Sequence, residues 1–317
     1  MSSYLVTGGA GFIGAAVARR LLDAGHEVVV VDNLSTGYAE NVPAGAVFVE
    51  GAVQDAALYG RLPRREFAAI YHIAGQSSGE ISFDDPVYDL QTNTQSTLLL
   101  LKLALDSGCR RILYASTMSV YGEQPDAPVA EDATAAPKSF YGVGKLASEH
   151  YLRIYRQYGI EGACLRLFNV YGPGQNMANL RQGMVSIYLA HALQNRHIHV
   201  KGSAERYRDF VYIDDVVDAF LTLETAALGA APVYNICTGA RTTVGELISK
   251  LRAALPFDVG VHYEGSTPGD MFGITGDGAR IAREIGWRTR VGLDEGLARM
   301  VAWALGGAAA TARQVAP

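Results

Sequence analysis

The stretch Val6-Thr7-Gly8-Gly9-Ala10-Gly11-Phe12-Ile13-Gly14 decides the fold. It follows the apolar run Tyr4-Leu5-Val6 and opens a helical pattern near 12–24. Gly9, Gly11 and Gly14 satisfy G-x-G-x-x-G, and Gly8, Gly11 and Gly14 satisfy G-x-x-G-x-x-G. Such a turn lets backbone approach a pyrophosphate and lets the helix pack tightly on the strand. The positive end of the helix then faces the phosphates. Phe12 and Ile13, inside the same turn, count with it as cofactor contacts.

A second apolar run, Val28–Val31, ends at Asp32, about 20 residues on, where a carboxylate suits the ribose hydroxyls of NAD. That charge would repel the 2′-phosphate of NADP, and no Arg follows directly. Further strand-like runs at 47–51 and 68–75, and the stretches "RILYAS" and "ACLRLFNV", alternate with helical ones near 87–106 and 142–158. Continuous apolar strands separated by helices predict an α/β fold, a Rossmann-type doubly wound parallel sheet. After about residue 170 the alternation becomes irregular, which predicts a smaller C-terminal substrate-binding region. The expected division is a dinucleotide domain over 1–168 plus about 210–240, a substrate region over 169–209 and 241–305, and a disordered tail over 306–317.

In "SFYGVGK", Tyr141 and Lys145 stand four residues apart and share a helix face. An ammonium beside a phenol favours the phenolate and lowers its pKa toward the working range. Such a phenolate can take a hydroxyl proton while hydride leaves the same carbon.

The bulk numbers agree with a soluble enzyme. The 317 residues are 49% hydrophobic and 19% charged, enough for a sizeable core. A net charge of -5 and the lack of a basic tract argue against a nucleic-acid partner. No run of about 18 apolar residues predicts a membrane span, and no secretory signal is read at the N-terminus. Cys109, Cys164 and Cys237 fit reduced thiols in a cytoplasmic protein, with Cys164 and Cys237 as packing residues. His197 and His199 read as an exposed strand rather than metal ligands, and no metal is expected. His72 reads as a satisfied sheet histidine, and the acidic run IDDVVDA suggests a cation site at first sight.

"GGAGFIG", "YASTMSVYG", "YGVGK", "RLFNVYGPG", "RYRDFVYIDDVVDA" and "NICTG" resemble, in this order, the motifs of extended short-chain dehydrogenases/reductases of the nucleotide-sugar epimerase/dehydratase branch. The likeness runs from about residue 3 to about residue 300 and is less specific for the substrate than for the family. It implies that Tyr141 is the base and that Lys145 holds the nicotinamide ribose of NAD. Thr117 then bonds the sugar O4, and Asp32 and Asn33 contact the adenosine ribose. Ala74 and Gln76 lie where the cofactor passes the fourth strand end, and Asn93 has a structural role beside the site. It further implies that Asn169, Asn179, Leu180, Arg208 and Asp270 contact the nucleotide-sugar substrate, a UDP-sugar foremost, with Arg206 adding positive field. It makes Asp214 or Asp215 a helix cap rather than a cation ligand, and since the relatives pair the helices that here lie near 87–106 and 142–158 into a dimer interface, a homodimer is expected.

Three departures stand out. Ala52 replaces the Asp that meets the adenine amine, so that contact is lost or passes to Asp55. Thr267 replaces a second diphosphate-binding Arg. Ile274 falls where a bulky residue in some epimerases excludes 2-acetamido sugars.

In 4,6-dehydratases of this branch, Asp and Glu follow the Thr and expel the C6 hydroxyl. Here Met118 and Ser119 follow it. The Glu of decarboxylating relatives and the Cys of 3,5-epimerising ones are missing as well. The expectation is therefore an NAD-dependent 4-epimerase. The alternatives are a dehydratase that recruits another acid such as Glu123, a net dehydrogenase, or a non-catalytic NAD-binding regulator.

Overall fold

The computed structural model describes residues 1–230, 232–265 and 271–314, with side chains as far as Gly306. Its elements, in chain order, begin with β1 (Ser3–Thr7), α1 (Phe12–Asp23), β2 (Glu27–Asp32), β3 (Val47–Glu50), β4 (Ala69–His72) and α2 (Pro86–Leu90). A single π-helical turn, Gln91–Gln95, joins α2 to α3 (Ser96–Ser107). There follow β5 (Arg111–Thr117), α4 (Phe140–Tyr155), β6 (Glu161–Leu167), β7 (Asn169–Tyr171), α5 (Met184–Asn195) and β8 (His197–Lys201). The chain continues through β9 (Tyr207–Arg208), β10 (Phe210–Tyr212), α6 (Ile213–Thr225), β11 (Val233–Ile236), β12 (Thr242–Thr243), α7 (Val244–Ala254), β13 (Gly260–Glu264), α8 (Ala279–Glu284) and α9 (Leu293–Gln314).

Seven strands form one parallel sheet in the order β11-β6-β5-β4-β1-β2-β3. This is the doubly wound α/β architecture expected from the alternating pattern. Val28, Val29, Val30 and Val31 are all buried because helices cover both faces of the sheet. Fully burying a side chain such as Leu5 or Val30 contributes roughly 1.5–3 kcal/mol. Helix α1 turns Val17, Ala18 and Leu21 inward, the spacing of one apolar face. Helix α7 begins with a complete capping box between Thr243 and Glu246.

The order of strands reverses beside β1, between β2 and β4. A crevice opens there at the carboxyl ends of the strands. Three two-stranded ribbons, β10-β7, β12-β9 and β13-β8, belong to the later half of the chain.

Several local expectations change. Asp214 and Asp215 lie in the first turn of α6, but neither caps it; the cap position is Tyr212, without a side-chain bond. Asp215 instead accepts from the amides of Arg290 and Val291, at 3.0 and 3.1 Å. Helix α9 continues to Gln314, into the stretch expected to be a disordered tail; its run of alanines carries high helix propensity. His72 is fully buried between Thr7 and Thr97, with ring contacts of 3.0 and 3.1 Å, as a satisfied sheet histidine should be. Burial lowers its pKa to about 3. All three cysteines are buried and unpaired. No helix among the described residues is long and apolar enough to cross a membrane.

Candidate active site

The glycine turn is shaped by contacts only glycine permits. Gly8 has φ +72°, and a Cβ there would lie 2.8 Å from the Ala74 nitrogen. A Cβ on Gly14 would lie 2.1 Å from the Gly8 carbonyl oxygen, so α1 seats directly on the turn. Asp32 is held at the end of β2 by two amides: Ala10 N donates to Oδ2 at 3.0 Å and Leu34 N to Oδ1 at 2.8 Å. Gly8, Gly11, Phe12, Ile13, Gly14, Asp32, Asn33, Ala74 and Gln76 all line one cleft of about 330 Å³. A glycine cradle next to a fixed carboxylate fits a dinucleotide with free ribose hydroxyls.

At the adenine end expected from the departure at Ala52, the lining residues are Gly51, Val53 and Gln54. Asp55 is exposed, and its carboxylate caps the next turn by accepting from Ala57 N at 2.9 Å. Gln54 Oε1 is buried and has no hydrogen-bond donor. Sequence reasoning passed over Gln54 because an uncharged side chain two residues from the usual position carries no signal.

The reacting residues meet in an adjoining cleft of about 240 Å³, which holds Thr117, Tyr141, Lys145 and Asn169. It shares Phe12, Ile13, Gly75 and Ser77 with the dinucleotide cleft. Helix α4 is started by Ser139, whose Oγ accepts from Gly142 N at 3.1 Å. Its Glu149 clamps it to the sheet, accepting from Ser116 Oγ at 2.5 Å and from Arg166 Nη2 at 2.7 Å. Ser116 precedes Thr117, so its bond to Glu149 fixes the end of β5 against the helix that carries Tyr141, and the buried Arg166–Glu149 ion pair adds β6.

The Thr117 hydroxyl lies beside the Tyr141 phenol in this cleft and favours its ionised form. Lys145 Nζ donates to the Ala115 carbonyl at 2.9 Å and lies 5.8 Å from the centre of the Tyr141 ring. The expectation that Lys145 lowers the phenol is not met in this structure. Burial pushes Tyr141 up to about 12, with the Thr117 hydroxyl opposing the rise and the nearby Asp89 carboxylate adding to it. Burial likewise lowers Lys145 to about 8, while Asp89 pulls it back up. Desolvation dominates both shifts because both groups sit inside the protein.

Met118 and Ser119 line the reacting cleft directly after Thr117. Met118 Sδ accepts from Asn169 Nδ2 at 3.5 Å, and Ser119 N donates to Thr117 Oγ1 at 3.1 Å. Neither side chain can exchange a proton as a carboxyl does. Glu123 is bound by Lys138 Nζ at 2.8 Å, which holds its carboxyl below the usual range. An ionised carboxylate of that kind is a poor proton donor to a leaving hydroxyl.

A third cleft, of about 490 Å³, continues from Met118, Ser119 and Asn169 to Leu180, Arg206, Arg208 and Met271. Arg208 is 2% exposed, and its guanidinium donates to the carbonyls of Tyr207, Met271 and Phe272 at 2.7, 2.8 and 3.2 Å. Asn179 lines the dinucleotide cleft rather than this one, so the Asn179-Leu180 pair is split between the two. The chain reverses there in a turn built on Asn176, whose Oδ1 accepts from Ala178 N and Asn179 N. Ile274 lines none of the three clefts; it is buried with Val120, Tyr121, Phe168 and Met271. Asp270 and Thr267 lie outside the described residues.

The strand histidines gain neighbours that the sequence order hid. His199 lies 5.0 Å from His197 and 6.0 Å from both His191 and His262, measured between ring centres. His191 and His199 line the larger cleft. Among the described residues, no group of three or more His, Cys, Asp or Glu side chains is arranged to hold a metal ion.

The sheet, the glycine turn and the Thr117-Tyr141-Lys145 set define an extended short-chain dehydrogenase/reductase. The model of the NAD dependent epimerase/dehydratase family matches residues 4–237, and the chain belongs to that family. Its cofactor is NAD. The chain is 36% identical over 304 residues to UDP-glucose 4-epimerase of Mycolicibacterium smegmatis, covering 94% of this chain and 96% of the relative. Among solved structures it is similar to UDP-glucose 4-epimerase of Thermotoga maritima with UDP-glucose, at 36% identity and a TM-score of 0.92, over 96% of this chain and 99% of that one. It is also similar to UDP-glucose 4-epimerase of Thermus thermophilus in complex with NAD, at 33% identity and a TM-score of 0.89, over the same shares of the two chains.

Proposed function

We propose that the chain is an NAD-dependent 4-epimerase acting on a nucleotide sugar, a UDP-sugar first among them. One observation carries this reading. Thr117, Tyr141 and Lys145 stand together in one cleft, and the two residues after Thr117 are Met118 and Ser119, which lack elimination chemistry. When bound, NAD would supply a hydride acceptor, a hydride donor once reduced, and a positive charge.

The chain's own residues handle the proton and the alignment. Thr117 Oγ1 lies beside the phenol and orients the sugar O4. The Tyr141 oxygen removes the O4 proton as C4 is oxidised, and gives it back when the 4-keto sugar is reduced from its other face. Lys145 keeps positive charge under the site. The cleft of about 490 Å³ gives the sugar room to present either face, while Arg208 and Asn169 hold the nucleotide end. Segments 169–209 and 241–305 form the substrate side in this reading, and Asp270 belongs to it.

The purified protein is incubated with UDP-glucose, UDP-glucuronate, their 2-acetamido analogues and GDP-mannose, and C4 stereochemistry is followed by NMR. Inversion at C4 without net NADH is expected. A 4-keto-6-deoxy product, or NADH formed in step with turnover, would overturn the reading.

Exposed apolar side chains on α2 and α4 support a homodimer. The three reduced, buried thiols support a cytoplasmic location, which cell fractionation tests.

A further inference from the structure

Asp89 is 1% exposed and lies on α2, immediately before the π-helical turn. Its Oδ2 accepts from Gln76 Nε2 at 2.8 Å and from Asn93 Nδ2 at 3.1 Å. Its Oδ1 is buried without a donor, and so is Asn93 Oδ1. Both face the helix that carries the reacting pair. A Cβ on Gly144, next to Lys145, would sit 3.5 Å from Asp89 Oδ1. A Cβ on Gly75 would sit 2.3 Å from Asn93 Oδ1 and 3.3 Å from Lys145 Nζ. Two glycines thus admit the carboxamide oxygen beside the ammonium and the carboxylate beside the helix that carries it; among the described residues the ammonium donates to the Ala115 carbonyl. π-turns of this kind gather at functional sites, and this one carries Thr92 and Asn93 into the cluster.

We propose that Asp89 is a positioning residue for the reaction: an ionised carboxylate, aimed by Gln76 and Asn93, that serves as counter-charge to Lys145 and sets the pH range over which Tyr141 and Lys145 work together. The inference rests on the reading of Tyr141 as the base. Charge balance explains its sign. A negative charge beneath the site favours the protonated form of both Lys145 and Tyr141, so it holds the ammonium against burial and resists loss of the phenol proton. Burial raises Asp89 itself, and the bonds from Gln76 and Asn93, together with Lys145, bring it back toward ionisation. Among the described residues, the titratable groups next to Lys145 include His72 on β4 and Tyr114 on β5, with Glu149 on α4 beyond Tyr114. His72 is held neutral by burial, and Lys145 adds to that effect. Burial raises Tyr114 well above its usual range. Glu149 is committed to Arg166 and Ser116.

The test is Asp89→Asn in the NAD-bound protein. Tyr141 ionisation is read as ultraviolet difference absorbance against Tyr141→Phe, without substrate, so it reports even if the sugar substrate has been misassigned. The expected result is a fall of about one pH unit in the Tyr141 midpoint. Both limbs of the kcat/KM profile should move acidward together, and Asp89→Glu should restore the wild-type positions. Should Asp89→Asn not fold, Asp89→Ser keeps an acceptor for Gln76 and Asn93 in less volume and gives the same reading. An unmoved Tyr141 midpoint, with kcat lowered equally at every pH, would overturn the proposal.

Discussion

Lys145 Nζ donates to the carbonyl of Ala115 at 2.9 Å, so the last strand residues before Thr117 and the helix bearing Tyr141 are tied through one buried ammonium. The cation also lies 4.8 Å from the centre of the Tyr114 ring, which lessens the cost of keeping it inside. Burial still dominates, and the group is lowered to about 8.

That burial has a consequence for stability. A lysine whose folded pKa lies below its unfolded one binds fewer protons when folded. Between the folded value of about 8 and the usual lysine range near 10.5, the unfolded chain therefore holds more protons, and stability rises with pH. Below that window the full penalty is present. Lys145→Met removes it, so the variant should exceed the wild type by about 3 kcal/mol at pH 7 while losing turnover. The advantage should shrink as pH rises from about 8 to 10.5. Urea midpoints across this range check the prediction, and a pH-independent difference would refute it.

Gln54 should matter to the adenine end alone. Its Oε1 has no donor, and it lines the dinucleotide cleft where Ala52 contributes no carboxylate. Gln54→Ala should weaken NAD, ADP-ribose and AMP about five-fold, the size of one neutral hydrogen bond. Nicotinamide mononucleotide should bind as before. Titration calorimetry separates the four ligands, and equal loss for all of them would show a general disturbance of the cleft.

Gln54 and Asp89 mark where the sequence stopped being legible. Gly8, Gly14 and Asp32 could be read because their chemistry is local: a tight turn, a strand end and a spacing. Tyr141 and Lys145 could be paired because a helix brings residues four apart together. Asp89 has its effect through Lys145, 56 positions away in the chain, and only packing at Gly75 and Gly144 brings them near. The same reason separates Asn179 from Leu180, since adjacent residues in a turn can face different clefts. Ile274 reads as a side chain of intermediate size at a substrate-limiting position but lies in a small apolar cluster, and residue type alone does not report direction. The direction of the Tyr141 shift also needed burial, which spacing does not supply.

Arg208 should act on the nucleotide sugar and leave the cofactor alone. Its guanidinium spends three donations on carbonyls of residues 207, 271 and 272, which hold it rigid at the wall of the larger cleft. A planar fork can do this and still face a diphosphate; an ammonium cannot. Arg208→Lys should raise KM for the UDP-sugar by roughly ten- to a hundredfold, with kcat changed less. NAD affinity should remain that of the wild type. A loss confined to kcat would move Arg208 from binding to the chemical step.

The apolar surface of α2 and α4 is what supports the proposed homodimer. Val87, Leu90 and Val143 are 63%, 57% and 54% exposed, and Ile154 extends the patch along α4. Phe83 and Phe140 pack edge to face at 5.5 Å nearby. Several large side chains gathered on two neighbouring helices are costly to leave in water and typical of a self-association face. A second copy related by a twofold axis would cover them with the same surface. Light scattering at micromolar concentration should give twice the mass of the 33.9 kDa chain. Leu90→Glu together with Ile154→Glu should yield a monomer that still binds NAD, because neither residue lines the dinucleotide cleft. A wild-type monomer under these conditions would sink the assignment. A double variant that stays dimeric would place the interface on another face.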